Sequence, residues 1–156
     1  MEQEMRRKER AMSRRDSESL LETATVGRLG IFDGEPYVVP VNFVYHGGKI
    51  WFHCAKEGRK IQVLVKEPRV CFEVDEFLGL KKGEKSCSFG AYYRSVIAYG
   101  DVRIVDEEKQ KREALTKLMT KHAGTNQKWP FEDAELKRVA VVEITITSMT
   151  GKSRYP

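Results

Sequence analysis

The chain has three cysteines and no paired cysteine motif. Cys54, Cys71 and Cys87 stand 17 and 16 residues apart, with no CxxC pair and no histidine at zinc-finger spacing. Tetrahedral zinc takes its ligands in close pairs, so the pattern argues against a metal site and leaves reduced structural thiols as the expectation. No apolar run approaches the roughly 20 residues that a membrane-spanning helix needs. The cations near the N-terminus are followed by no apolar stretch, so no signal peptide is read and a cytoplasmic protein is expected. The pattern GxxxxGK followed by Ser or Thr is missing, which excludes a P-loop, and no GxGxxG follows a strand pattern, which removes a dinucleotide fingerprint. Internal repeats and low-complexity tracts are absent as well.

What is present describes a globular protein. With 156 residues, 40% of them hydrophobic and 33% charged, the chain is long enough to bury a core without metal or disulfides. Net charge is +5; residues 1–15 hold six cations against three acids and account for +3, leaving 22 cations, 20 acids and +2 elsewhere. The expected division is a basic N-terminal arm over residues 1–15 and a single domain over residues 16–156. Such an arm can grip phosphate backbones. No recognition helix or stacking-aromatic motif follows it, so a solvated terminus is expected rather than a nucleic-acid partner.

Ser13 or Asp16 is placed to cap a short helix that buries Leu20, Leu21 and Ala24. Residues 26–54 read as a three-strand meander, in which Asp33-Gly34-Glu35-Pro36 separates the first strand from the second and His46-Gly47-Gly48-Lys49 turns into the third. In the second strand Tyr37, Val39, Val41, Phe43 and Tyr45 face one way, and Val38, Pro40, Asn42 and Val44 the other. Both faces are partly apolar, so both are expected to be covered. Pro40 and Asn42 suit an edge, or an interruption where something else needs the backbone.

Glu57–Lys66 reads as a helix with an Ile61, Leu64, Val65 stripe, ended by Glu67-Pro68. Residues 69–78 form a fourth strand, 79–93 an aperiodic loop expected to be mobile, and 94–105 a fifth strand with a bulge at Gly100. Asp106 is expected to cap a third helix that lines up Ala114, Leu115, Leu118, Met119 and His122. Residues 126–138 return irregularly to a last strand at 139–149. Six strands separated mostly by turns, with about three short helices, predict a mainly β fold, a small antiparallel β-barrel with attached helices.

The stretch FHCAKEGRK, Phe52–Lys60, crowds Lys56, Arg59 and Lys60 onto the point where a strand gives way to a helix. A helix N-terminus carries free N–H groups and partial positive charge, so cations are misplaced there unless an anion arrives. Gly58 lets the backbone come close to a ligand, and together these features make a phosphate site. The bland alternative is a set of solvated cations beside Glu57. His53 and Cys54 point to opposite faces of their strand, a poor geometry for a Cys–His dyad. His53 alone stays open as a donor to a ligand, an axial metal ligand or a satisfied core histidine.

Residues 27–75, GRLGIFDGEPYVVPVNFVYHGGKIWFHCAKEGRKIQVLVKEPRVCFEVD, and residues 93–122, YRSVIAYGDVRIVDEEKQKREALTKLMTKH, resemble the FMN-binding split-barrel family related to pyridoxamine 5′-phosphate oxidase. Within it they are most similar to the flavin-nucleotide-binding or nitroimidazole-resistance branch. The resemblance runs from about residue 15 to residue 152. It implies a six-stranded antiparallel FMN-binding split barrel that works as a homodimer with FMN at the interface.

The resemblance also implies roles. Pro40, Val41, Asn42 and Phe43 would lie along the isoalloxazine; Arg59 and Lys60 would hold the phosphate, with Lys56 and Gly58 nearby; Ser95 would be a further phosphate-side contact. His53 would be the donor or substrate contact, the one residue proposed for catalysis. The implied activity is FMN-dependent electron transfer from NAD(P)H to a small acceptor such as a nitroaromatic. Two other readings stay open: a flavin carrier or sensor without turnover, and a barrel that holds haem with a histidine on iron. The C-terminal TSMTGKSRYP and Trp129 are candidates to reach a partner's site. The arginine-rich C-terminal signature of the oxidase itself is absent, so vitamin B6 oxidation is not expected.

Overall fold

The computed structural model describes residues 5–124 and 128–156. Residues 1–4 of the basic arm, and 126 and 127 of the return segment, therefore lie outside the described residues. The described residues form four α-helices, α1 (Arg14–Thr23), α2 (Arg59–Lys66), α3 (Glu108–Ala123) and α4 (Asp133–Arg138), and two short 3-10 turns. Seven strands, β1 (Val26–Phe32), β2 (Pro36–Asn42), β3 (Val44–His46), β4 (Lys49–Ala55), β5 (Arg69–Lys81), β6 (Gly90–Val105) and β7 (Val139–Arg154), form one antiparallel sheet in the order β2-β1-β5-β6-β7-β4-β3.

This order corrects the expected six-stranded barrel. The sheet is open, with β2 at one edge and β3 at the other, and no ladder joins them. The cause is a break at Phe43 in what reads as a single strand. Residues 36–42 pair with β1, whereas 44–46 pair with β4 at the opposite end of the sheet. One run of chain thus supplies both edges, and its two halves diverge instead of closing a cylinder.

Two apolar clusters hold the sheet. The larger packs Leu20 and Leu21 of α1 against Leu29, Phe43, Ile50, Phe52, Phe72, Val74, Val96 and Ile144. Full burial contributes about 1.5–3 kcal/mol for each such side chain. Phe43 and Phe72 meet edge to face with centroids 4.9 Å apart, a geometry worth about 1 kcal/mol beyond area. The second cluster joins Ala114, Leu115 and Leu118 of α3 and Leu136 of α4 to Val44, Val105 and Val141. Among the described residues no helix is long and apolar enough to cross a membrane.

Several local expectations hold. Ser13 caps α1, its side chain accepting from Asp16 N at 3.1 Å. The bulge falls at Tyr99/Gly100, where a Cβ would come within 2.5 Å of Thr145 O and 2.6 Å of Ile144 Cγ2, so only glycine permits β7 to cross so closely. Other expectations fail for reasons of tertiary packing. The segment expected as a mobile loop is in large part a ladder, with Gly79, Leu80 and Lys81 paired to Tyr92, Ala91 and Gly90. Helix α2 turns Val63 and Leu64 inward and leaves Val65 66% exposed. Asp106 does not cap α3, whose N-cap is Glu107 without a side-chain bond. The outer face of β2 is uncovered, with Val38, Pro40 and Asn42 exposed. Helix α4, absent from the sequence reading, forms through a capping box between Glu132 and Glu135.

Glu143 pins the far half of the sheet. It sits on β7 between Trp51 of β4 and Arg103 of β6 and is buried. Lys49 Nζ donates to it at 2.9 Å, Trp51 Nε1 at 3.0 Å, and Arg103 Nη2 lies 3.2 Å away. Burial pushes the carboxyl up, but the three donors outweigh it and leave its pKa below the usual range. A carboxyl so depressed stabilises the fold above the unfolded-state value of about 4.3, and that contribution is lost as pH falls through the folded value. Glu143→Gln is expected to cost about 2–3 kcal/mol in urea unfolding at pH 7 and progressively less below about pH 4. An equal cost at pH 3 and pH 7 would show that the carboxylate charge is not what matters.

Candidate functional site

The site is built where β4 runs into α2. Ala55, the last residue of β4, pairs with Val139, the first of β7. Gly58 then turns the chain with φ 109° and serves as the N-cap of α2 without any side-chain cap. No acidic residue stands in the first turn of the helix, and a Cβ on Gly58 would meet nothing within 4 Å. An uncapped helix start with open space above it fits an anion, since N–H groups and dipole both point there.

The three cations of this turn do not converge. Arg59 is engaged by Asp33 through two bonds, Nε to Oδ2 and Nη2 to Oδ1, both 2.9 Å, and its guanidinium lies 4.5 Å from the centroid of Tyr37. The hydrogen bond from Arg59 holds the Asp33 carboxyl below its ordinary range. Among the described residues this bidentate clamp leaves Nη1 unengaged, so Arg59 is aimed rather than cancelled. Lys60 extends over Phe52, 5.7 Å from the ring centroid, and makes no ion pair among the described residues. Lys56 turns to the other side of α2, into a cleft shared with Lys111.

Beside the turn runs the seam between edge strand β2 and β4, which approach without sharing a ladder. On the β2 side Pro40 and Asn42 are exposed and Val41 is buried, as is Phe43 after it. Asn42 Nδ2 donates to Thr25 O at 3.0 Å. The Phe43 backbone is held from α3: His122 Nε2 lies 3.0 Å from its carbonyl, and the Lys121 ammonium sits 4.0 Å over its ring. Burial lowers the pKa of Lys121 to about 8.

His53 lies on β4 opposite Val141, on the face away from Cys54, which packs against the larger core. Loss of hydration, followed by the charges of Lys60 and His122, lowers its pKa below 6.5. Its imidazole is therefore neutral at pH 7 and able to donate or accept one hydrogen bond at each nitrogen.

Of the residues singled out in the sequence, the fold places Gly58, Arg59 and Lys60 at the turn, His53 on the strand that leads into it, and Pro40, Val41, Asn42 and Phe43 along the run whose first part, β2, approaches β4. Ser95 is not among them. It pairs with Asp75 and Lys152, ten residues along β6 from Val105, whose partner Val141 also pairs with His53. Sequence reasoning missed Asp33, Tyr37, Lys121 and His122. Asp33 carried a signal only as part of a turn, and nothing local linked residues 121 and 122 to Phe43.

The family model described as pyridoxamine 5′-phosphate oxidase matches residues 13–153. The chain belongs to that family. Within it, the chain is related to the nitroimidazole-resistance-like, flavin-nucleotide-binding branch. A candidate 5-nitroimidazole antibiotic resistance protein from Bacteroides thetaiotaomicron is 30% identical, with 91% of this chain and 85% of that one covered and a TM-score of 0.80. An FAD-binding protein from Mesorhizobium loti is 25% identical over 94% of this chain and 98% of its own, with a TM-score of 0.69. The flavocytochrome Anf3 from Azotobacter vinelandii shares the fold at a TM-score of 0.87, with 22% identity, 98% of this chain and 73% of that chain covered. No curated protein matches the chain.

In an NMR titration His53 is expected to titrate below 6.5, and Lys60→Gln is expected to move its midpoint upward, because a neighbouring cation opposes protonation. A midpoint that does not respond to Lys60→Gln would place the ammonium elsewhere.

Proposed function

We propose that this protein binds FMN and moves electrons from NAD(P)H to a small acceptor, a nitroaromatic being the class its branch suggests. The observation that carries the reading is the uncapped start of α2, with no acid in its first turn and bearing Arg59 and Lys60, which follows directly on β4, the strand that carries His53 and that β2 approaches. A phosphate would be held by the α2 N–H groups, Arg59 and Lys60, with Gly58 admitting it closely. The single basic turn and the absence of a dinucleotide fingerprint favour the mononucleotide FMN over FAD.

Each residue then has a task. Asp33 and Tyr37 orient the Arg59 guanidinium; His122 and Lys121 fix Phe43, and with it the run Pro40–Phe43 along which the ring system would lie. Neutral His53 holds a proton where a ring edge or an acceptor can share it. FMN, when bound, supplies hydride acceptance and onward electron transfer, and no side chain has to act as a nucleophile. Ser95 stands too far along β6 to join this clamp within one chain, so its contact would come from a second copy, in a homodimer with FMN at the interface.

The reading is checked by the ultraviolet-visible spectrum of the purified protein, with the released cofactor identified by mass. Two oxidised-flavin bands and an FMN mass are expected. Arg59→Ala combined with Lys60→Ala is expected to weaken FMN about a hundredfold or more in a fluorescence titration, since two charge-assisted phosphate contacts are lost. Asp33→Asn is expected to weaken it only severalfold, by loosening Arg59. A protein that takes up no added flavin, or a double variant with unchanged affinity, would remove the proposal. NAD(P)H oxidation with a nitroaromatic acceptor separates an enzyme from a flavin carrier.

A further inference from the structure

The side of α2 that faces away from Arg59 holds a second cleft, of about 450 Å³, lined by Lys56, Ile61, Val65, Ile104, Asp106 and Lys111, with Val139 and Ala140 at its base. A volume of this size falls within the range of small-molecule sites. Its floor is the start of β7. Lys111 Nζ donates to Val139 O at 2.9 Å and to Leu136 O at 2.5 Å. An ammonium has three donors, so one remains after these two. Lys111 is only 7% exposed, and its position is locked by the two carbonyls it binds.

Lys56 reaches the same cleft from the other wall. It follows Ala55, which pairs with the same Val139, so both cations are tethered to one residue of β7. Lys56 makes no hydrogen bond or ion pair among the described residues. Asp106 is the carboxylate in the lining, and among the described residues it forms no ion pair with either lysine. Lys56 and Lys111 supply two ammonium groups against Asp106 in the lining, and Glu108 also acts on Lys111 from beside the cleft. Between them Ile61, Val65 and Ile104 form an apolar wall, and Val65 stays largely exposed although it belongs to a core-facing helix. Like charges gathered with spare donors beside exposed apolar surface are unfavourable until an anion with an apolar body occupies the space.

We propose that this cleft is a binding site for a small organic monocarboxylate, its head between Lys56 and Lys111 and its aliphatic or aromatic body along Ile61, Val65 and Ile104. The site is separate from the flavin clamp on the opposite side of α2. Mutual repulsion from Lys56 accords with the lowered pKa of Lys111, for which burial is the larger cause. Two ammonium groups partly offset by Asp106 and Glu108 favour a carboxylate over a phosphate dianion.

The test uses the full-length protein and 4-fluorobenzoate, observed by ¹⁹F NMR, with fluorobenzene and phenyl phosphate as comparators. Saturable binding of 4-fluorobenzoate is expected, with fluorobenzene and phenyl phosphate weaker. Lys56→Gln, an exposed change that leaves the core intact, is expected to weaken binding about tenfold, the equivalent of one charge-assisted contact. Lys111→Met, which keeps the buried stem, is expected to weaken it similarly, whereas Arg59→Ala should have no effect. Binding is expected to be the same with and without saturating FMN. Absence of binding at millimolar probe, or Lys56→Gln without effect, overturns the site. Loss of binding on adding FMN overturns its separateness and leaves the flavin reading standing, while probe binding by a protein that takes up no flavin supports the cleft and removes the other proposal.

Discussion

Phe43 is the residue on which the architecture turns. The chain leaves one edge of the sheet immediately before it and joins the opposite edge immediately after it. A strand can do this only if the point of departure is held firmly, because neither half of the run can rely on the other's ladder. The ring is wholly buried, faces Phe72 edge to face, and lies beneath the Lys121 ammonium, while its carbonyl is met by His122. The last turn of α3 thus grips both the backbone and the side chain of one residue. The seam between β2 and β4 is a direct result, since the run leaves the β1 ladder at Asn42 and joins β4 at Val44.

The basic turn shows how position can override composition. Three cations within five residues suggest one strong positive pole, but each is led to a different neighbour by the geometry of a short helix. Residues 59 and 60 leave the helix in different directions and residue 56 precedes it, so Asp33 can orient one, Phe52 can carry the stem of another, and the third shares a cleft with Lys111. Field strength at any one point is therefore smaller than the charge count suggests. Directional bonds from Arg59 and the backbone N–H groups matter more than net charge for what this end of the molecule can hold.

Features governed by neighbours in sequence were legible before the fold was known. The Ser13 cap, the bulge at Gly100 and the edge character of Pro40 follow from the chemistry of single residues, and the structure has each of them. The turn at Gly58 and its cations were equally visible. What could not be read depends on partners distant in sequence. Residues 79–81 lack strand character and become strand because residues 90–92 lie alongside. The barrel expectation failed at the break at Phe43, where alternation continues without interruption from Tyr37 to Tyr45 and gives no sign that the hydrogen-bonding partner changes. Asp33 and His122 were invisible as site residues because their roles come from contacts 26 and 79 residues away.

The open sheet leaves an edge at β2, and its composition bears on how the molecule survives at high concentration. Pro36 and Pro40 share the same parity along that strand, so both nitrogens without hydrogen fall on one side of it. Prolines are tolerated at an edge with that side turned to solvent. Alternate donors are then missing from the rim that another β-strand would need in order to add on, and the opposite rim, β3, is only three residues long. A sheet that cannot close is thereby kept from growing, and strand-by-strand polymerisation is obstructed at both ends.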